Sequence, residues 1–554
     1  MKKPVKQSIV FICILVIINI LSSIFSFQWD LTADKRFTFT KESLQVLKEI
    51  KHPLQIDLYL NGEMAPSFYK LQTSTIELLH EMAKHTPYNI KINNMPHPKS
   101  INEEQAITKL TDMGIHGTVV NDSNAQGKNA QQLIFPEANV IYNGDTIAVD
   151  LLLQKNHMSP QEITNASENN LEYAFTDALH LLTKKATQRI AFIEGQGELP
   201  DTYVYEATNA LSKYYQIDRG KLTDDPSTLS AYKVLIIAGP EKPFSESDKY
   251  ILDQYLMHGG SIFWLVDGIK INEDKFQTNG ESPTIKNELN IDNLLSSWGV
   301  KINALTVQDR QCTPIRIATQ NSGAKGTYNT LPWFFAPLLQ PNTKNPITAH
   351  LSPLKSEMVS SISVLSNKIH ATELLSTSNE SHILQTPEAV SLKYLGMPTT
   401  KKYFSQPSQP IAILLEGRFP SAYAHASRPS DCKDWPLEKR NISKPTRQIV
   451  AASASIIQNE WSNEGEQSQP LPLGYDQLTG QRLGNQDFIV NAVNYLAGNG
   501  SWLQMRNKKS KVRLLSKESV MPKRLVHWQA LNIGGPILAI VLICVLMGYL
   551  HKKE

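Results

Sequence analysis

Two stretches without a charge stand near the ends of the chain. Ser8 to Phe27 reads SIVFICILVIINILSSIFSF, and Leu531 to Leu550 reads LNIGGPILAIVLICVLMGYL. A helix of roughly 20 residues, rising about 1.5 Å per residue, crosses a hydrocarbon core of about 30 Å. Core helices of soluble proteins are seldom this long and apolar on every face. Both stretches are therefore expected to be membrane spans. At the N-terminus the alternative is a cleaved signal peptide, because Lys2, Lys3 and Lys6 precede the apolar run. The run exceeds a usual signal core, and only Ser22, Ser23 and Ser26 suggest a cleavage site, so an uncleaved anchor is favoured.

Between these ends the periodicity changes from element to element. Thr40 can cap a helix whose apolar stripe is Leu44, Leu47 and Ile50, with Pro53 ending it. Leu54, Ile56, Leu58 and Leu60 then alternate with Gln55, Asp57 and Tyr59, the period of a half-buried strand. A helix over about Pro66 to His85, facing inward with Leu71, Leu78, Leu79 and Met82, leads to a strand at YNIKIN. Strand, helix, strand predicts a βαβ unit and a partly parallel sheet. In QLIFPEANVIYNGDTIAVDLLL, Asn143-Gly144-Asp145 between alternating runs predicts a hairpin. A helix around NNLEYAFTDALHLLTK closes this first domain near residue 186, its aromatic and leucine positions serving as core.

A second pattern follows: strand RIAFIEG, helix Asp201 to Tyr215, strand YKVLIIAG, helix Ser245 to Met257, strand GGSIFWLVDG. Short, continuously apolar strands alternating with helices predict a doubly wound α/β sheet covered on both faces. The expected organisation is a cytoplasmic tail (1–7), a span (8–27), an N-terminal periplasmic α/β domain (28–186), and a central α/β domain with a C-terminal extension (187–500). A basic juxtamembrane segment (501–530), a second span (531–550) and a second tail (551–554) complete it.

Charge orients this plan. Lys2, Lys3 and Lys6 before the first span, and His551, Lys552 and Lys553 after the second, favour both tips on the cytoplasmic side of the inner membrane, leaving the bulk periplasmic. The segment MRNKKSKVRLLSKESVMPKR lies on the opposing side of that rule, from which very long translocated regions are exempt. Its Arg506, Lys508, Lys509, Lys511, Arg513, Lys523 and Arg524 could contact anionic headgroups or an acidic neighbour, or form a solvated linker. A net charge of +3 over 554 residues is too near neutral to imply nucleic acid as a partner, and none is expected.

Ligands of doubly wound sheets sit beyond the carboxyl ends of the strands. Here those ends carry Glu194, Gly195, Gly197 and Glu198, then Gly239 and Pro240, then Asp267 and Gly268. Glu194, Glu198 and Asp267 could grip the hydroxyls of a glycan or a peptide; alternatively they are loop and cap residues. Catalytic motifs are absent from the sequence. It holds no GxxxxGK[ST] phosphate loop, GQGELP lacks the last glycine of a dinucleotide fingerprint, and no nucleophile elbow follows a predicted strand. Cys312 (RQCTP) and Cys432 (SDCKD) lack a strand-turn-helix context, though the two could pair in an oxidising periplasm. Scattered histidines offer no metal spacing. No cofactor is expected, and binding rather than catalysis is favoured over the alternative of a hydrolase or transferase, which would need a nucleophile presented at a strand end.

Several segments in series carry a family resemblance: DLTADKRFTFTKESLQVLKEI, IAFIEGQGELPD, HGGSIFWLVDG, LLSSWGVKIN, ILLEGRFPSAY and LPLGYDQLTGQRLGNQDFIVNAVNYLAG. In this order, with an anchor at either end, the chain resembles the GldG family of gliding-motility proteins of Bacteroidetes, auxiliary and so-called substrate-binding components of an ABC transporter. The resemblance implies a GldF-like permease and a separate GldA-like ATPase as partners. It also implies a central GIFT module, similar in fold to class I glutamine amidotransferases but without their catalytic cysteine. One segment departs: where the family shows SDGD before IIxN, this chain has Ala452, Ser453, Ala454 and Ser455. Any site formed by those carboxylates is not carried over.

Overall fold

A computed structural model describes residues 38–499 apart from 63, 97, 99–102, 124–128, 154–159, 184–186, 223–225, 320–326, 350, 366–367, 397–399, 433–437 and 463–467, together with 503 and 522–551. Phe37–Lys508 form one compact unit; residues 1–36 and 509–554 form another.

The first part of the large unit opens with α1 (Lys41–Glu49), and the Thr40 side chain accepts a hydrogen bond from Ser43 N as its cap. The buried stripe is Ser43, Val46, Leu47 and Ile50, with Leu44 only half-buried. β1 (Leu54–Leu58), α2 (Pro66–Lys84) and β2 (Ile90–Asn94) form the expected βαβ unit, β1 and β2 pairing in parallel. α3 (Glu104–Asp112), the antiparallel pair β3 (Thr118–Ser123) and β4 (Asn129–Ile134), β5 (Glu137–Tyr142), β6 (Asp145–Asp150) and α4 (Pro160–Thr183) follow. The hairpin falls at Asn143 and Gly144, both left-handed at φ 51° and 94°, joining β5 to β6 in a sheet of order β2-β1-β5-β6. One face packs on Leu71, Leu79, Phe175 and Leu179 from α2 and α4. β1 is not half-exposed as its alternation predicts. Asp57 is buried and accepts hydrogen bonds from Gln55 and Asn93, while Tyr59 packs with Leu110, Ile115, Leu133 and Phe135. A second covering layer therefore lies over the face expected to be wet.

In the central part, β7 (Arg189–Glu194), α5 (Tyr205–Ser212), β8 (Gln216–Lys221), β9 (Tyr232–Ala238), α6 (Glu246–Met257) and β10 (Ser261–Leu265) build the parallel half of an eight-stranded sheet. The helix expected over Asp201–Tyr215 is split, with a 3-10 turn at Asp201–Tyr203 before α5. The chain then leaves for a long hairpin, β11 (Cys312–Thr319) and β12 (Thr327–Pro337). It returns through β13 (Gln340–Pro341), β14 (His370–Ser376), β15 (Pro410–Gly417) and β16 (Thr446–Ala451), and closes with α7 (Asn485–Leu496). The full order is β13-β14-β15-β16-β10-β9-β7-β8. Strands β8, β7, β9, β10 and β16 run parallel, while β15, β14 and β13 add an antiparallel half. Counted along the chain from β7, the parallel strands lie in the order 2-1-3-4-5, a flavodoxin-like winding.

Alternation inside the apolar strands serves two cores. Phe192, Ile236, Phe263, Leu265 and Ile449 face α5 and α7, whereas Ile193, Ile237, Trp264 and Val450 face α6 and Trp298. Buried on all sides, α6 keeps Asp253 inside, where its carboxylate accepts hydrogen bonds from Ser421 Oγ at 2.6 Å and Ala422 N at 2.8 Å.

The smaller unit contributes one described element, α8 (Pro522–His551), a 30-residue helix with Leu531, Ile533, Leu538, Ile540 and Val545 each more than half exposed. The run Leu531–Leu550 lies within it, but the side chains of Ile543 and residues 546–550 are outside the described set. Among the described residues no helix is long and apolar enough to cross a membrane. The first apolar run, Ser8–Phe27, and its preceding lysines lie outside the described residues.

Candidate functional site

The carboxyl ends of the parallel strands converge on one rim, as the winding requires. Gly239, at φ 65°, follows β9; a Cβ there would stand 3.0 Å from Leu199 Cγ and 3.1 Å from Ala454 Cβ. The loops after β7, β9 and β16 are thus packed against one another, and only glycine fits between them. Asn287 ties two rim loops by donating to the carbonyls of Pro240 and Asp267 at 3.2 and 3.0 Å.

Each of the three rim carboxylates is held locally. Glu194 pairs with Arg219 Nε at 2.8 Å, and Asp201 meets the same nitrogen at 2.7 Å. Glu198 accepts from Gln196 N at 2.8 Å, and burial raises its carboxyl above the usual range. Asp267 accepts from Ala454 N at 2.8 Å; burial pushes its carboxyl up to about 6, against the pull of that hydrogen bond. The neighbouring Glu194 charge adds a smaller upward push on the Glu198 carboxyl.

A cavity of 260 Å³ opens beside this rim, and none of these three acids lines it. Its walls come from four places distant in sequence: Ile315 and Trp333 of the β11–β12 hairpin, the Lys355–Glu357 segment, Ser455 to Glu460 beyond β16, and Tyr475 with Asn485 before α7. The Ala452–Ser455 stretch supplies the join. Ser453 Oγ donates to Glu357 O at 3.1 Å, and Glu357 N donates to Ser455 Oγ at 2.8 Å. Trp333 Nε1 donates to Glu357 Oε1 at 3.2 Å. Lys355 Nζ is bound to Glu460 Oε1 and lies 3.6 Å from Asp476 Oδ1. Glu357 is exposed where it lines the cavity; partial desolvation by the surrounding protein, reinforced by Glu460 and Glu273, raises its carboxyl. No local motif marks these residues. The departure at Ala452–Ser455 was the one sequence signal pointing to this place.

The proposed disulfide is corrected by the structure: Cys312 and Cys432 are not bonded to each other. Cys432 packs in the core beneath α6, its Sγ 3.6 Å from Ser247 O, whereas Cys312 opens β11 in the hairpin. Burial and then Asp309 push the Cys312 thiol up to about 12, which holds it in the unreactive protonated form. Arg506, Lys508, Lys509, Lys511 and Arg513 lie outside the described residues; Lys523 and Arg524 fall in the first turn of α8. Among the described residues no group of three or more metal-ligating side chains could hold a metal ion.

A domain of unknown function (DUF7088) matches residues 33–141. Among solved structures, the mmIFT52 N-terminal domain is 16% identical, covering 56% of this chain and 97% of its own, with a TM-score of 0.32. A β-galactosidase from Rahnella sp. R3 is 11% identical, covering 62% of this chain, with a TM-score of 0.25; the match spans 38% of that enzyme's length. Neither likeness is close enough to define the fold, which rests on the strand order above. No curated protein matches the chain. The family described as an ABC-type uncharacterized transport system matches residues 187–492, more than half of the chain, and to that family of ABC-transport auxiliary proteins the chain belongs.

Proposed function

We propose that the chain is a doubly anchored, non-catalytic subunit of an ABC transport complex, in which a GldF-like permease and a separate GldA-like ATPase supply the pore and the nucleotide site. The carrying observation is the family match over 187–492. The sequence holds no phosphate loop of its own, so ATP-driven work must come from a partner. Anchorage is supported by the exposed apolar surface of α8 and by the exposed Trp528 just ahead of the run, where interfacial aromatics stand. Both tips then face the cytoplasm and the α/β body lies in the periplasm. Two anchors hold that body against the permease at high effective concentration and in one orientation. Gliding motility, or a related envelope transport or secretion process, is the role that fits this arrangement. Isolation of the full chain in mild detergent is expected to recover a multi-span permease and an ATPase. Recovery of the chain alone, under conditions that keep other ABC transporters intact, would overturn the reading.

A further inference from the structure

We propose that the cavity between the β11–β12 hairpin and the carboxyl end of β16 binds a protonated alkylammonium group, with the Glu357 carboxylate as its counter-charge.

The polar groups on the wall are mostly committed. Lys355 Nζ is held between Glu460 and Asp476. Asn485 accepts from Lys355 N at 2.8 Å and donates to the carbonyls of Lys355 and Ile456 at 2.8 and 3.0 Å. Ser356 Oγ donates to Pro337 O at 2.6 Å, and Ser455 Oγ serves the backbone of Glu357. A glycan needs several directed partners for its hydroxyls, and most of these side chains are already taken, Gln458 and the Tyr475 hydroxyl being the neutral groups outside this network among the described residues.

Among the charged groups Glu357 is the exception. Its backbone is pinned through Ser453 and Ser455, its Oε1 takes the Trp333 indole N–H, and its Oε2 has no hydrogen-bond partner among the described residues. Three carboxylates, Glu357, Glu460 and Asp476, stand here against one ammonium already in use. A second cation placed at Oε2 answers that imbalance and forms a charge-assisted hydrogen bond. Beside it, Pro314, Ile315 and Ala336 offer an apolar wall suited to methylene groups. An aliphatic stem ending in an ammonium matches both surfaces, as a lysine side chain does.

The inference stands apart from the transport reading: amine binding can fail while the permease still co-purifies, and the reverse. Calorimetry on the full chain in detergent at pH 7.5 would use n-pentylamine and Nα-acetyl-L-lysine methylamide as probes. Nα-acetyl-L-norleucine methylamide and maltose serve as neutral controls. Binding of at least one amine is expected, with the norleucine analogue weaker by about tenfold or more. Binding of both amines identifies a free-amine site; binding of the lysyl probe alone identifies a peptide side chain as the source. Glu357→Gln keeps shape and the Trp333 acceptor, and is expected to weaken binding about tenfold at an unchanged melting temperature. Without any variant, affinity should fall as pH is lowered through the raised Glu357 titration, since the probes stay protonated throughout. Equal binding of the norleucine analogue, preference for maltose, absence of amine binding, or a flat pH profile would each overturn the proposal.

Discussion

Residues at the rim illustrate how burial alters a charge that the sequence presents as ordinary. Asp267 accepts from Ala454 N, which favours its ionised form, yet burial dominates and lifts the carboxyl to about 6. In the unfolded chain it ionises near the usual carboxylate value. Between those two values the unfolded state releases a proton that the folded state retains. The contribution of Asp267 to stability is therefore complete below the unfolded value and lost as pH rises through about 6. Asp267→Asn is expected to flatten the urea-derived stability profile between pH 4 and 6 by at most about 1 kcal/mol per pH unit. An unchanged slope would show that the carboxyl is solvated. The positions of Glu194, Glu198 and Asp267 at strand ends were legible because continuous apolar strands announce where they stop. That Glu194 is matched by Arg219 was not legible, because Arg219 belongs to a strand that carries no apolar pattern.

At the scale of elements, agreement follows the strength of the local signal. Asn143-Gly144 makes the turn that positive φ at both positions demands, and Thr40 caps α1 as its hydroxyl allows. Ser245 and Asp248 form a reciprocal cap at the start of α6, with Asp248 also accepting from Gln196 of the β7 loop at 3.1 Å. Ser245→Ala is expected to cost about 1 kcal/mol, lowering the urea midpoint without changing the slope. Strand β8 escaped notice for a physical reason: QIDRGK sits at the edge of the sheet, half-buried, and is held by Arg189–Asp218 and Arg219–Glu194 ion pairs rather than by apolar alternation. The expected helix over Asp201–Tyr215 breaks where the carbonyls of Thr202 and Tyr203 turn to Asn459, accepting from its Nδ2 and backbone N at 3.2 and 2.8 Å.

For the whole molecule, family membership and the apolar surface of α8 lead to one expectation about location. A chain ending at residue 530 should lose half of its anchorage, and one lacking both 8–27 and 531–550 should leave the membrane fraction on fractionation. Retention of that doubly trimmed chain in membranes by itself would contradict an anchoring role for these runs. A reporter fused after Glu554 is expected to be protected from an external label, and labelling from outside would reverse the proposed orientation.

Sequence alone determined what depends on neighbours along the chain: apolar runs, strand and helix periods, turn glycines and caps, all set within a few residues by backbone sterics and side-chain spacing. Tertiary structure decided the antiparallel extension of the sheet, the separation of Cys312 from Cys432, and the cavity at Glu357. The cavity joins segments more than one hundred residues apart, Trp333 and Glu357 with Glu460 and Tyr475. Their proximity is fixed by which sheet edge and which loop happen to pack together, and a period read along the strand carries no record of that.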